Sequence, residues 1–207
     1  LDAAAICLNS PYKEVLLNSA EEISKNYKID GFYFDEVSFQ SWCKCNFCKK
    51  KYKKDSGKNI PNKINFHNKN FLNWMTWRET QVNELMKKFY NELKKIDKKN
   101  IIFFQSAFPI SSTFTKMKDF QYINPVGNRV PQVYDGFYRP SFYAQNIERN
   151  YIFNDIISIE PWRKIVGAPI WWPGACTSYV HNLDTKKNVL PLMELPHFPW
   201  SLLNLNK

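Results

Sequence analysis

The sequence predicts an α/β domain on a parallel sheet, as part of a (β/α)8 TIM barrel. Three observations carry that expectation. Short apolar runs alternate with longer helix-patterned segments, the order of βαβ units. The runs are apolar on both faces, as strands covered from both sides must be. Acids stand at or just beyond the ends of three runs: Asp35 with Glu36, Glu160, and Glu194. In a β/α barrel the C-terminal strand ends carry the active site. Acids there also cap following helices. A cysteine-bearing polar stretch follows Asp35 and Glu36, so capping suits that pair less well.

The elements follow in order. Asn9-Ser10-Pro11 opens a helix, with Asn9 or Ser10 as cap and Pro11 in the first turn. Val15, Ser19, Ala20 and Ile23 give its packed face, to about Tyr27. Ile29-Asp30-Gly31-Phe32-Tyr33-Phe34 is a buried strand that runs into Asp35 and Glu36. Residues 37–62 form a polar segment with three cysteines. A long helix covers 68–96, with Phe71, Trp74, Met75, Val82, Leu85, Met86, Phe89 and Leu93 on one side. Residues 100–105 and 155–160 are two more strands. A fourth, 190–194, is weaker because Pro191 cannot donate to a ladder. The residues before Cys7 read as the end of another strand. No repeat, low-complexity tract or linker interrupts the chain, which predicts one domain over 1–207. A complete barrel takes about 250 residues. The 207 residues present, with five or six strand candidates, therefore fit a stretch from about the third to the seventh barrel strand. Standing alone, such a sheet has exposed edges, which calls for a homo-oligomer or for an open-sheet fold instead of a barrel.

Composition excludes several classes. With 44% apolar and 16% aromatic residues the chain is not disordered as a whole. It has no run of 18 apolar residues, so no membrane partner is expected. The net charge of +10 invites a nucleic-acid reading. Against it, only five residues are arginine: Arg78, Arg129, Arg139, Arg149 and Arg163. The rest of the positive charge is lysine, clustered at 49–58 (read as loop) and 87–99 (read as a helix face), in a chain also rich in Asn and Ile. Solvated surface is the expected role, without a nucleic-acid partner. The first residues show no basic start and no long apolar core, unlike a signal peptide. Together with reduced thiols, that points to the cytoplasm.

Cys43-Lys44-Cys45-Asn46-Phe47-Cys48 places three thiols within six residues. One loop can wrap such sulfurs around a single ion, and tetrahedral zinc needs four ligands. Cys7 is the best fourth, since it follows a candidate strand. Cys176, His67, His181 and His197 are rivals, and disulfides are the alternative chemistry. A closed four-thiolate site is structural, because no position is left for water.

These motifs carry a resemblance. Cys7-Leu8-Asn9-Ser10-Pro11-Tyr12, Asp30-Gly31-Phe32-Tyr33-Phe34-Asp35-Glu36, and Cys43-X-Cys45-X2-Cys48 with Tyr52 and Gly57-Lys58-Asn59-Ile60-Pro61 resemble the middle of family 42 β-galactosidase-type enzymes. They resemble still more a related group of glycosyl hydrolases with a DGIFFD…CxCxxC…GxxLP pattern. The likeness covers residues 1 to about 105 and extends to Ser158-Ile159-Glu160-Pro161-Trp162 and to 193–200. It implies a TIM-barrel glycosidase with a structural zinc on Cys7, Cys43, Cys45 and Cys48. It also implies an acid/base Glu at the end of the fourth barrel strand, where Glu36 stands, preceded here by Asp35 rather than Asn. Other barrel glycosidases end that strand in an Asp nucleophile, which fits Asp35. The nucleophile of the family comes late in the barrel, at Glu194 or Glu160.

Glycoside hydrolysis needs two carboxyl groups across a sugar. Aromatic residues supply the sugar platforms: Trp162, Trp171, Trp172 and Trp200 are the candidates, with Phe34 and Tyr138, and His197 near Glu194 lines the same cleft. The substrate expected is a carbohydrate. A non-catalytic carbohydrate-binding or structural partial barrel, and a zinc-containing nucleic-acid binder, are the competing readings.

Overall fold

The computed structural model describes residues 6–35, 37–39, 42–63, 65, 67–106, 144–159 and 172–191. Helix α1 is Tyr12–Asn26, strand β1 Gly31–Phe34, helix α2 Asn46–Ser56, helix α3 Lys69–Ile96 and strand β2 Ile101–Ser106. A short helix α4, Ile147–Asn150, runs through a 3-10 turn (Tyr151–Phe153) into strand β3, Ile156–Ile159. Helix α5, Trp172–His181, and strand β4, Asn188–Pro191, complete the described elements.

The four strands form one sheet in the order β1-β2-β3-β4, every pair parallel. Phe34 pairs with Phe104, Gln105 with Ser158 and Ser158 with Leu190. Because side chains alternate along a strand, this register sorts them into two faces. Phe32, Phe34, Ile102, Phe104, Ile157 and Ile159 share the face that the helices cover. Phe34 stacks on Phe104 at 5.0 Å and meets Phe89 of α3 edge-on at 5.3 Å. Ile157 and Ile159 bury against Cys176 and Val180 of α5. The crossovers β1-α3-β2 and β3-α5-β4 thus lay their helices on the same side, as in a singly wound sheet. On the other face Tyr33, Ile101 and Leu190 are more than 40% exposed.

Long helix α3 forms because its apolar residues recur every three to four positions from Phe71 to Leu93. Asn68 caps it, its side chain accepting from the Asn70 and Phe71 amides at 2.8 and 3.2 Å. Trp74, Val82, Met86 and Leu93 are fully buried. Each such side chain contributes roughly 1.5–3 kcal/mol.

Asp155 locks β2 to the approach of β3. Its carboxylate accepts the Ile102 amide at 2.8 Å and the Tyr90 hydroxyl at 3.0 Å, and meets Lys94 Nζ at 2.8 Å. Next to it, Asn154 Oδ1 accepts the Phe104 amide at 2.6 Å. Asp155→Ala removes three partners at once, one of them a strand amide. It is expected to cost about 2–3 kcal/mol in urea unfolding. A loss below 0.5 kcal/mol (roughly the scatter of surface substitutions) would place Asp155 outside this network.

Several expectations change. Helix α1 starts at Tyr12 with Pro11 as cap residue and no side-chain cap bond. Asn9 is instead turned to the cysteines, its amide group donating to Cys48 Sγ. The buried face of α1 is Leu17 and Ala20, while Val15 and Ile23 are exposed. Helix rotation is set by partners outside α1: Lys88 of α3 pairs with Glu14 at 2.6 Å, and Asn100 donates to Ser24 at 2.9 Å. Residues 46–56, read as loop, are helical. Strand β4 is Asn188–Pro191 and so begins two residues earlier than expected. Trp172, a candidate sugar platform, opens helix α5.

Candidate functional site

The cysteine cluster is assembled from two chain segments. The turn before α1, closed by Ser10 N–H donating to the Cys7 carbonyl at 2.9 Å, presents Cys7. The second segment enters α2 with Cys45 as N-cap, so Cys48 lies in the first turn and faces inward, 1% exposed. Tyr52, one turn later on the same stripe, is equally buried and anchors the helix, and Gly57 ends it at φ 71°. The sulfurs of Cys7, Cys43, Cys45 and Cys48 all lie within 4.8 Å of one another. A tetrahedral four-thiolate zinc site, with Zn–S near 2.3 Å, has sulfur–sulfur edges of about 3.8 Å. The donor set therefore fits a tetrahedral metal ion with small adjustments. Cys7 and Cys48 are 3.3 Å apart, and Cys7 Sγ accepts the Asn9 amide at 3.4 Å. All five cysteines are free thiols. Cys176, a rival ligand by sequence, is buried between α5 and β3 in a separate apolar cluster. His67 and His181 are exposed.

The proton distribution in the cluster follows from mutual hydrogen bonding. Thiols donated by Cys48 and Cys7 hold the Cys43 thiol far below its usual range. Donation to Cys43 and burial push Cys7 and Cys48 upward. The four cysteines share one packed core with Phe39, Trp42, Phe71 and Trp74, and the buried Arg78 guanidinium lies among the Phe39, Trp42 and Trp74 rings.

The sheet edge provides the second feature. All strands being parallel, their C-terminal ends share one edge. Asp35 stands there, exposed, immediately after β1. Its carboxylate lies 3.4 Å from the Tyr33 hydroxyl, which donates to Gln105 Oε1 at 2.7 Å. Gln145 donates to the carbonyls of Val37 and Gln105 at 3.3 Å each, tying the segment after β1 to β2. Tyr33, Gln105 and Gln145 were not singled out by sequence reasoning. The readable signal was a glutamine closing an otherwise apolar strand. Glu36, Glu160, Glu194, Trp162, Trp171, His197, Trp200 and Tyr138 lie outside the described residues, as does the side chain of Trp172. No described helix is long and apolar enough to cross a membrane.

The described residues form a parallel, singly wound α/β sheet with Asp35 at its C-terminal edge. Among solved structures the chain is similar to the glycoside hydrolase domain of PgaB (BpsB) from Bordetella bronchiseptica, with a TM-score of 0.58 and 10% sequence identity. The match covers 91% of this chain and 49% of that one, so the chain spans about half the length of this neighbour. No protein-family model and no curated protein matches the sequence. The likeness to the family 42 group thus stands on its motif residues alone.

Proposed function

We propose that the chain is part of a TIM-barrel glycoside hydrolase that cleaves an O-glycosidic bond with a pair of carboxyl groups. The observation that carries this is the position of Asp35 at the C-terminal edge of a parallel sheet, beside Tyr33 and Gln105. Likeness of fold to a glycoside hydrolase domain supports it. The exposed Tyr33, Ile101 and Leu190 fit the inward wall of a barrel that further strands would close. Asp35 or Glu36 serves as one carboxyl, and Glu160 or Glu194 as the other. One protonates the leaving oxygen, while the other attacks the anomeric carbon or activates water. Trp162, Trp171, Trp172, His197 and Trp200 then supply sugar contacts.

Under the same proposal the four cysteines hold a structural zinc. An all-thiolate set leaves no open position, so the ion would brace the loop between β1 and α3 and take no part in bond cleavage.

Single variants Asp35→Asn, Glu36→Gln, Glu160→Gln and Glu194→Gln, assayed on aryl glycosides, test the reading. Loss of the general acid is expected to lower kcat by roughly 10²–10⁴. Two of the four variants should show losses of this order. Unchanged turnover in all four rejects the assignment.

A further inference from the structure

Asn9 stands two residues after Cys7, in the turn that leads into α1. Helix α1 has no side-chain cap bond, so the Asn9 carboxamide is not used there. Both donors of the residue go to sulfur instead. Its backbone N–H donates to Cys7 Sγ at 3.4 Å, and its side-chain Nδ2 donates to Cys48 Sγ at 3.4 Å. The first bond stays within one turn of chain. The second crosses to the other cysteine segment, 39 residues away. Asn9 therefore holds one sulfur from each of the two segments that build the cluster, and those sulfurs are 3.3 Å apart.

Ligation strengthens these bonds. A cysteine that binds a metal has lost its proton. Such a sulfur only accepts, so the nitrogen end of a carboxamide is the end that can face it. Hydrogen bonds to ionised acceptors are roughly twice as strong as those between neutral groups. Four thiolates around a divalent ion also leave excess negative charge on the complex, and donors aimed at sulfur spread it. We propose that Asn9 is the positioning residue of the metal centre: it ties the Cys7 turn to the first turn of α2 before an ion arrives, and its donors stabilise the thiolates once the ion is bound. This rests on reading the four cysteines as a metal site. Asn9 is not itself a ligand. The neighbouring Ser10 serves as a control, because its hydroxyl is buried without a hydrogen-bond partner and its removal takes nothing from the sulfurs.

The test compares zinc affinity, by competition with a chelator, in wild type, Asn9→Ala, Asn9→Leu and Ser10→Ala. Each protein is also melted with and without zinc, and loaded with cobalt(II) to read the sulfur-to-metal charge-transfer band. The Asn9 variants keep the backbone bond to Cys7 and lose the bond to Cys48. They are expected to bind zinc about 10- to 100-fold more weakly, the usual size for a group outside the ligand shell. Their charge-transfer band moves to lower energy, because a sulfur that loses a donor gives up its electrons more readily. Ser10→Ala stays within about 3-fold of wild type, the scatter of substitutions that break no contact, with its band unmoved. A residue that only packs would lower the loaded and metal-free melting temperatures equally and leave affinity and band unchanged. That result overturns the proposal while the metal centre stands. Weaker binding with an unmoved band overturns it too, since the sulfurs would then not feel the donor, as does an equal loss in Ser10→Ala. Asn9 variants that lose the fold of the metal-free protein, relative to wild type, assign Asn9 to the fold and overturn it as well. Failure of the wild type to bind zinc overturns the metal reading itself.

Discussion

Chelating the metal from the loaded protein is expected to remove a large part of its stability. An ion bound to the folded chain at 1,000-fold excess over its dissociation constant contributes about 4 kcal/mol. Domains of this kind hold only about 5–15 kcal/mol in total. At roughly 2–4 °C per kcal/mol for a chain of this size, the melting temperature should fall by about 10 °C or more. Cys48→Ser should reproduce the loss without a chelator. Cys48 is 1% exposed, and serine offers a poor ligand while placing a hydroxyl in an apolar pocket. Acid should weaken loading, and the sign follows from the protons. The metal-free cluster retains protons on Cys7 and Cys48, both pushed upward. The loaded cluster carries neither, since thiolates are the ligands. Raising pH therefore favours loading, by at least about two decades of apparent affinity per pH unit while the Cys7 and Cys48 protons are displaced. Affinity that is flat between pH 6 and 8, or a melting temperature indifferent to chelator, would remove the metal from this account.

The cluster explains a helix that its own sequence would barely support. Helix α2 carries Lys49, Lys50, Lys51, Lys53 and Lys54 in its 11 residues. Lys49 and Lys53, and Lys50 and Lys54, are like charges one turn apart, which opposes helix formation. Lys51 alone finds an acid on the helix, Asp55 at 3.0 Å, which also accepts the Trp77 indole N–H at 2.8 Å. What holds α2 is tertiary: Cys48 and Tyr52 on one buried stripe. Charge and periodicity alone therefore favour a loop over residues 46–56. The signal present was the triplet Cys48, Tyr52 and the helix-ending Gly57.

Elsewhere legibility tracked how local the cause was. The α3 stripe and the Asn68 cap are encoded within a few residues, and the helix begins one residue after its cap. Strands β1, β2 and β3 are apolar runs bounded by polar residues, so their existence was plain and their ends fell within about two residues. The face of α1 depended on Lys88 and Asn100, far along the chain, and was misread for that reason. The convergence of Cys7 on residues 43–48 was readable because thiol chemistry limits what three close cysteines do. Arg78 was visible only as a charge interrupting the apolar stripe of α3.

Gly31→Ala is expected to be among the most damaging single substitutions in the sheet. Gly31 opens β1 in register with Ile101. A Cβ at Gly31 would lie 1.9 Å from the Ile101 carbonyl oxygen and 2.7 Å from its carbonyl carbon and nitrogen. All three are backbone atoms, so no rotamer change relieves the clash. The strands must separate, which weakens the Ile101 amide bond to the Asp30 carbonyl, 2.8 Å long, and disturbs the Phe34–Phe104 stack below. Ordinary overpacking costs about 1–3 kcal/mol. A clash confined to backbone belongs at or above the top of that range, so a loss of at least about 3 kcal/mol is expected. The same substitution at Gly174 should act with the opposite sign. Gly174 lies within α5, where an added Cβ meets nothing within 4 Å. There alanine should stabilise by about 0.5–1 kcal/mol through helix propensity. Urea midpoints at constant slope read both. A Gly31→Ala protein as stable as wild type would mean that β1 and β2 do not pair in this register. Asp35 would then lose its place at the shared strand edge.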